Sequence, residues 1–242
     1  MGASSETMEP ALNSDCVLVI MAKAPRPGRV KTRLIPSLPL QAVTSFYRCL
    51  LGDTLALAQS LAGVEAAIMC PESDVDELAL VAGRGVSVVA QKGEGLAAGL
   101  TSVFAHFAED HQRRTIAFNS DSPHLPPSIL QGAFEALVTH DLVVGPTYDG
   151  GYYLIGANRS HPSLFTRDGM GTGSALENLL SQARVLQLSV GFTDPFYDID
   201  VADDLIQLAA ELEDSPGLAP RTAVWLKEWG DAMTRLRTGT AD

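Results

Sequence analysis

The chain has 242 residues, of which 46% are hydrophobic and 19% charged, so it can form a core and is not a disordered sequence. Its 17 Lys and Arg residues against 29 Asp and Glu give a net charge of −12, which disfavours nucleic-acid partners because their phosphates would be repelled. No apolar run reaches the roughly 20 residues of a membrane span. The three cysteines lack the spacing of a zinc site or disulfide framework, so we expect reduced thiols and a cytoplasmic protein.

The first half of the chain alternates strand-like and helix-like segments. Residues 1–15 are polar and are expected to form a flexible tail, and 16–22 form an apolar, β-branched run typical of a buried parallel strand. The next predicted segments are helix 40–61, strand 64–70, helix 74–82, strand 86–90, helix 96–109 and strand 115–119. Because parallel strands need crossover connections, which are usually helices, this order predicts an α/β fold with a mostly parallel sheet, formed as one domain over residues 16–242.

The second half of the chain predicts a change of strand direction. Residues 141–146 and 151–157 are strand-like and only four residues separate them, which indicates a hairpin. Pro126 and Pro127 would start a helix that precedes these two strands. Further predicted segments are helix 173–182, strand 185–190 and helices 202–213 and 221–237. The predicted sheet is therefore mixed.

The loop after the first predicted strand carries five cations in an acidic chain: Lys23, Arg26, Arg29, Lys31 and Arg33. In open α/β sheets, ligands bind beyond the carboxyl ends of the strands. A cationic, glycine-containing loop at that place is typical of a di- or triphosphate site, although the spacing is not that of a Walker A loop. The alternative interpretation is a solvated basic loop.

Two other loops carry carboxylates at predicted strand ends. Asp121 follows one strand and is a candidate ligand for Mg²⁺, although Asp and Ser before the two prolines also suit a helix start. Four aspartates lie within 198–204. Asp200 is placed to cap the following helix, the last two suit its first turn, and a metal role stays open for Asp198 or Asp200.

Two weaker signals lie in turns. Asp149, Gly150 and Gly151 separate the predicted hairpin strands, where the carboxylate could receive a hydroxyl group, but a plain turn explains the same residues. Residues 91–95, Gln-Lys-Gly-Glu-Gly, follow the third strand and offer amide groups that could read a base edge.

Together these segments resemble the DUF2064 family, which is related to molybdenum-cofactor guanylyltransferase and 2-phospholactate guanylyltransferase. The motifs are MAKAPRPGRVKTRL, NSDSPHLP, DGGYYLIG and YDIDVADDL, and the last is similar to the DxDTPEDL signature of related nucleotidyltransferases. The resemblance implies a GT-A-like, three-layer nucleotide-diphospho-sugar transferase fold and a transferase dependent on Mg²⁺ or Mn²⁺.

The resemblance, taken together with the residue patterns above, suggests roles for individual residues. Asp121 and Asp200 would bind the metal, with Asp198 as a further candidate, and Lys31, Arg33 and Asp121 would be catalytic. The nucleotide-binding candidates are Lys23, Ala24, Pro25, Gly28, Lys31, Thr32, Arg33, Gln91, Gly93, Gly95 and Asp121, and the acceptor-binding candidates are Asp149, Gly150, Gly151 and Tyr152.

Two segments depart from the family pattern. Residues 96–100 read Leu-Ala-Ala-Gly-Leu where an LGxR-like stretch is usual, and 169–172 read Gly-Met-Gly-Thr where Trp-Gly-Thr is usual. Both segments are expected to face the nucleotide base or the acceptor. The identity of the family's substrates therefore cannot be assigned to this chain. The preferred hypothesis is nucleotidyl transfer from a nucleoside triphosphate to a small phosphorylated or hydroxylated acceptor. Glycosyl transfer from a nucleotide sugar and nucleotide binding without turnover are the alternatives.

Overall fold

A seven-stranded sheet lies between two layers of helices in the computed structural model, which describes residues 14–110, 113–165 and 174–230. The strands are β1 (Cys16–Met21), β2 (Glu65–Cys70), β3 (Ser87–Ala90), β4 (Arg114–Asn119), β5 (Leu142–Pro146), β6 (Tyr152–Ala157) and β7 (Val190–Phe192). Their order across the sheet is β3-β2-β1-β4-β6-β5-β7. All neighbouring pairs are parallel except the two that involve β6. The predicted α/β fold with a mostly parallel mixed sheet is confirmed.

Seven α-helices connect and cover the strands in the described ranges. They are α1 (Leu40–Ser60), α2 (Val75–Ala82), α3 (Gly95–Val103), α4 (Pro127–Ala136), α5 (Ala175–Val185), α6 (Ala202–Asp214) and α7 (Pro220–Glu228). Five short helical turns lie between these elements: Thr32–Leu34, Glu72–Asp74, Phe104–Asp110, Pro162–Phe165 and Pro216–Leu218. None of the described helices combines the length and apolarity that crossing a membrane requires.

Strand β1 is apolar throughout because it contributes to two hydrophobic clusters, one on each face of the sheet. Leu18 and Ile20 face the cluster that includes α1, α4, α6 and α7, whereas Val17 and Val19 face the cluster that includes α3 and α5. All four side chains are fully buried, and burying each contributes about 1.5–3 kcal/mol. Because both clusters are built on one sheet, we propose that residues from 16 onward form one domain.

The reversal between β5 and β6 brings the start of β6 to the carboxyl edge of the sheet. Phe118 of β4 pairs with Leu154 of β6, so Tyr152 lies near the end of β4. The turn that joins the two strands includes Gly150, whose φ of 88° favours glycine. The same edge carries the loop after β1 and the segment before α6.

The structure corrects the predicted strand at 185–190. Helix α5 continues to Val185, and β7 covers Val190–Phe192. Gln187 adopts a left-handed conformation (φ 56°), and the backbone N–H of Leu188 donates to the carbonyl of Ala183, which closes the helix. Leu186 and Leu188 pack on the core from this non-strand segment, so their alternation resembled that of a strand.

Some predictions fall partly or wholly outside the described residues, among them the first residue of the helix predicted at 173–182. Of the tail predicted at 1–15, only Ser14 and Asp15 are described. The departure from the family pattern at 169–172 lies outside the described ranges. The last predicted helix is described as α7 to Glu228, and residues after 230 are outside the description.

Candidate active site

The loop between β1 and α1 is anchored to the start of α2. The N–H of Ala24 donates to Asp74 Oδ2 at 2.9 Å, and Arg26 donates to Asp74 Oδ1 at 2.7 Å and to Glu77 Oε2 at 2.9 Å. The guanidinium of Arg26 also donates to the carbonyl of Ser73. Arg26 thus fixes the position of the loop and is engaged away from the phosphate site predicted from the sequence.

The other four cations of the loop line a cavity of about 550 Å³, which we call the first cavity. They are Lys23, Arg29, Lys31 and Arg33. The first cavity is also lined by Tyr47, Thr32, Gln91, Gly95, Asp121 and Asp200. Of the predicted nucleotide-binding residues, Ala24, Pro25, Gly28 and Gly93 lie outside its lining. Four cations in one cavity of an acidic protein create a local site for an anion.

Lys31 lies between the two carboxylates that were predicted to bind metal. Its Nζ is 3.0 Å from Asp121 Oδ1 and 4.0 Å from Asp200 Oδ1, and its side chain is only 4% exposed. Arg33 donates to Asp200 Oδ2 at 2.6 Å. The predicted phosphate-binding cations and the predicted metal-binding carboxylates are therefore brought together and paired with each other.

Backbone hydrogen bonds hold the two carboxylate segments side by side. The N–H of Ile199 donates to the carbonyl of Asp121 at 3.0 Å, and Ser122 Oγ donates to the carbonyl of Tyr197 at 3.1 Å. Ile199 is fully buried in the larger hydrophobic cluster. A buried side chain therefore fixes the backbone immediately before Asp200.

The structure corrects the expected cap of α6. Val201 occupies the N-cap position, and the carboxylate of Asp204 accepts hydrogen bonds from the N–H groups of Asp200 and Val201, each at 2.8 Å. Asp200 was expected to be the cap because it precedes the helical pattern. Since Asp204 satisfies these donors, the carboxylate of Asp200 is directed to Lys31 and Arg33 instead.

A second cavity of about 650 Å³ adjoins the first, and Asp121, Asp200 and Arg33 line both. Asp198 lines the second cavity, where burial and the negative charge of Asp121 raise its pKa to about 6. The aspartates at 198 and 200 therefore differ in position: one faces only the second cavity and the other lies between the two.

The predicted acceptor-binding residues lie at the second cavity, with one exception. Asp149, Gly151 and Tyr152 line it, whereas Gly150 does not. Thr147 Oγ1 donates to Asp149 Oδ1 at 2.5 Å and the N–H of Gly151 donates to the same oxygen at 3.1 Å. These bonds lower the pKa of Asp149. Asp149 thus stabilises the turn, as the plain-turn interpretation expects, and also lines the cavity.

Gln91 uses its amide group within its own loop. Its Nε2 donates to the carbonyl of Gly93 at 2.8 Å and more weakly to that of Gly95 at 3.4 Å. Gln91 and Gly95 line the first cavity but not the second. These hydrogen bonds fix the conformation of residues 91–95, part of which lines the first cavity. The predicted contact between this segment and a nucleotide base stays a prediction.

Sequence reasoning missed Tyr47, which lines the first cavity from α1. Its hydroxyl accepts a hydrogen bond from the N–H of Lys23 at 3.2 Å and shares one with Ser120 Oγ at 3.1 Å. Burial raises the pKa of Tyr47 well above its usual range, so the hydroxyl stays neutral. The signal was a tyrosine on an otherwise apolar helix face, where a buried hydroxyl needs a partner.

The donor set at the boundary of the cavities fits a hard divalent cation. Asp121 and Asp200 offer carboxylate oxygens, and the ammonium of Lys31 already sits against both, so a positive charge is accommodated there. Among the described residues no group of three or more His, Cys, Asp or Glu side chains is arranged to hold a metal. Mg²⁺ is commonly held by one or two protein carboxylates together with substrate phosphates, so two suffice.

The sequence comparison matches residues 54–172 to the DUF2064 family, described as "Uncharacterized protein conserved in bacteria". These residues belong to the DUF2064 family. The DUF2064 segment contains Gln91, Asp121 and Asp149, and the cationic loop and Asp200 lie on either side of it. No curated protein matches the chain significantly.

Solved structures share the fold over most of the chain. A protein of Desulfovibrio desulfuricans G20, provisionally assigned as a nucleotide-diphospho-sugar transferase, is 25% identical, with a TM-score of 0.84 and coverage of 95% of this chain and 100% of its own. The 4-diphosphocytidyl-2C-methyl-D-erythritol synthase of Anaerococcus prevotii DSM 20548 is 12% identical, with a TM-score of 0.56 and coverage of 82% and 96%. Rv0371c of Mycobacterium tuberculosis H37Rv, solved in complex with manganese, is 21% identical, with a TM-score of 0.50 and coverage of 81% and 97%.

Proposed function

We propose that this protein is a transferase dependent on a divalent metal ion, which binds a nucleotide in the first cavity and a small acceptor in the second. One observation carries the proposal: Asp121, Asp200 and Arg33 line both cavities. A group transferred from one ligand to the other would therefore react beside these side chains. The similarity to a provisionally assigned nucleotide-diphospho-sugar transferase supports the same class of reaction.

The first cavity suits the phosphates of the donor. Arg33 lines both cavities, Lys31 contacts the two carboxylates that the cavities share, and Lys23 and Arg29 line the first cavity only. Arginine binds phosphate oxygens in a bidentate manner and lysine acts as a point charge. Four cations along one path match the extended negative charge of a triphosphate better than that of a diphosphate. Nucleotidyl transfer is therefore the preferred reaction.

Asp121 and Asp200 would hold Mg²⁺ or Mn²⁺, and when bound the ion would offset negative charge on the phosphates. The manganese complex of Rv0371c, a protein of similar fold, supports this choice of ion. Lys31 and Arg33, which pair with these carboxylates in the structure, would then be available to phosphate oxygens. Asp198 faces the acceptor side alone and is a less suitable ligand for an ion shared with the donor.

In the proposed reaction an oxygen of the acceptor bonds to the α-phosphorus of the nucleoside triphosphate. The bond between that phosphorus and the bridging oxygen breaks and pyrophosphate leaves; where the acceptor oxygen is a hydroxyl, its proton passes to solvent. The side chains of this protein would position the two ligands and stabilise charge. Lys31 and Arg33 would stabilise the negative charge on the departing pyrophosphate, and Asp121 and Asp200 would lie between the donor and the acceptor.

Analysis of the leaving group by ³¹P NMR tests the proposal. Purified protein is incubated with Mg²⁺, each common nucleoside triphosphate and a panel of hydroxylated and phosphorylated metabolites. We expect pyrophosphate to form from one triphosphate in the presence of an acceptor, and the Asp121→Asn variant to form none. Nucleotide binding without any product across the panel would favour a binding protein without turnover.

Glycosyl transfer is a second candidate because of the likeness to the Desulfovibrio desulfuricans protein, which matches the chain over 95% of its length. In that reaction a nucleoside diphosphate would leave a nucleotide sugar. The same NMR experiment with nucleotide sugars distinguishes the two reactions. Release of a nucleoside diphosphate, with no pyrophosphate from any triphosphate, would contradict the preference for nucleotidyl transfer and establish glycosyl transfer.

A further inference from the structure

The second cavity has an apolar wall beside its charged side chains. Leu100 and Ile155 contribute apolar lining to the second cavity alone, and Met21 and Leu96 line both cavities. Leu100 and Ile155 belong to the hydrophobic cluster that β1 shares with α3 and α5. At about 650 Å³ the second cavity has the volume of an ordinary small-molecule site. A bound molecule would therefore bury an apolar part against this wall.

The charged groups of the second cavity are mostly acidic. Four carboxylates line it, from Asp121, Asp149, Asp198 and Asp200. Arg33 is the single cation among the described residues of its lining, and it is already paired with Asp200 at 2.6 Å. The first cavity, in contrast, is lined by four cations and by only two carboxylates, those of Asp121 and Asp200, which it shares with the second. Two adjoining cavities thus present opposite charges to their ligands.

A bound metal and donor would not reverse this charge. A divalent ion on Asp121 and Asp200 offsets two of the carboxylates, but donor phosphates add negative charge at the boundary. Asp149 stays ionised because Thr147 and Gly151 donate to it. A phosphate or carboxylate on the acceptor would be repelled by these groups, whereas a hydroxyl group can donate to a carboxylate oxygen.

We propose that the second cavity takes an uncharged acceptor, a hydroxyl group on an apolar body, and disfavours phosphorylated or carboxylated acceptors. This inference rests on the proposed function, because it assigns the acceptor of that reaction. It narrows the acceptor class from hydroxylated or phosphorylated molecules to hydroxylated ones alone. The two observations behind it are the apolar wall and the excess of carboxylates.

Comparison of the binding affinities of matched probes tests the inference. The first cavity is saturated with Mg²⁺ and the α,β-methylene analogue of the tightest-binding nucleoside triphosphate, so that phosphorylated probes cannot occupy it. Binding is then measured by calorimetry for three pairs: phenyl β-glucoside and its 6-phosphate, 1-O-butylglycerol and its 3-phosphate, and 4-hydroxyphenethyl alcohol and its alkyl phosphate. We expect at least one uncharged probe to bind, at least about tenfold more tightly than its phosphate ester.

A charge variant and a matched control sharpen the test. Asp149→Asn removes one carboxylate from the lining and should reduce the preference for the uncharged probe several-fold. Asp214→Asn, at the exposed end of α6, should leave the preference unchanged. Equal or tighter binding of the phosphate esters would overturn the inference, and so would failure of every uncharged probe to bind. If the nucleotide analogue itself does not bind, the proposed function fails and the inference fails with it.

Discussion

Lys31 combines a left-handed backbone, an almost fully buried side chain and contact with a candidate metal-binding carboxylate. Its φ of 47° is unfavourable for a residue with a Cβ by about 1–2 kcal/mol. Its ammonium lies 3.0 Å from Asp121 and 4.0 Å from Asp200, where it neutralises part of their charge. A cation fixed between the two carboxylates would compete with a metal ion for the same oxygens.

Replacing Lys31 with methionine should therefore have opposite effects on two ligands. Without nucleotide, Mn²⁺ should bind several-fold more tightly because the competing ammonium is gone. Nucleotide affinity should fall by about tenfold, the size expected when one charge-assisted contact is lost. Electron paramagnetic resonance titration measures free Mn²⁺, and calorimetry measures nucleotide binding. Lys227→Met, on the exposed face of α7, is the control. Unchanged Mn²⁺ affinity would show that Lys31 does not compete with the metal.

At the scale of elements, the geometry of the cationic loop depends on α2. Asp74 is buried and receives hydrogen bonds from Ala24 and Arg26 at opposite sides of its carboxylate. Asp74 lines neither cavity, yet the Asp74→Ala variant should lose nucleotide affinity because the loop loses its anchor. The variant should also be less stable by about 1–3 kcal/mol, because the N–H donors of Ala24 and Arg26 lose their acceptor. Calorimetry and urea unfolding measure the two effects, with the exposed Asp76→Ala as control. Full nucleotide affinity in Asp74→Ala would contradict the anchoring role.

The segment that carries Asp121 packs against the segment that carries Asp200 through a buried histidine. The ring of His124 lies 4.8 Å from that of Phe196 and 4.7 Å from that of Tyr197. Neither ring nitrogen has a hydrogen-bond partner among the described residues, and Nε2 is 3.6 Å from Glu211 Oε2. Burial lowers the pKa of His124 to about 4, so the ring is neutral near pH 7.

This burial makes stability dependent on pH. Below about pH 6.5 the unfolded chain protonates this imidazole while the folded chain does not, so the free energy of unfolding falls as the pH drops from 6.5 towards 4. The loss attributable to His124 should reach about 2–3 kcal/mol at pH 4.5. Urea unfolding of the wild type and of His124→Leu between pH 7 and 4.5 measures it by difference. Parallel pH profiles for the two proteins would exclude this explanation.

Elements that depend on local pattern were predictable, and those that depend on competing partners were not. The apolar run of β1 and the amphipathic spacing of α1 specify their structures locally. Asp200 and Asp204 are both suitable caps for α6 by residue type, and only the folded backbone shows that Asp204 accepts the hydrogen bonds. The difference between the predicted strand 185–190 and the observed β7 has a similar cause. Leu186 and Leu188 pack on the hydrophobic core without belonging to a strand, and the sequence pattern does not distinguish the two cases.

At the scale of the whole molecule, the sequence predicted which segments would meet but not how they would pair. Strand ends in a parallel sheet share one edge, so the cationic loop and Asp121 were expected to be close. The pairing of Lys31 and Arg33 with the carboxylates, and the division into two cavities, depend on side chains from distant positions. The anchoring role of Arg26 likewise depends on α2, which lies about 50 residues farther along the chain.

We propose above all that Asp121 and Asp200 hold a metal ion that helps to bind the nucleotide. Calorimetric titration of the preferred nucleotide, once with Mg²⁺ and once with a chelator, tests this metal role. The proteins compared are the wild type, Asp121→Asn, Asp200→Asn and the control Asp214→Asn, each shown by circular dichroism to be folded. We predict that Mg²⁺ raises affinity at least about tenfold in the wild type and the control. In the two site variants this gain should disappear, while metal-free affinity is kept or increased because Lys31 or Arg33 is released. An undiminished effect of Mg²⁺ in either site variant would contradict the claim for that residue.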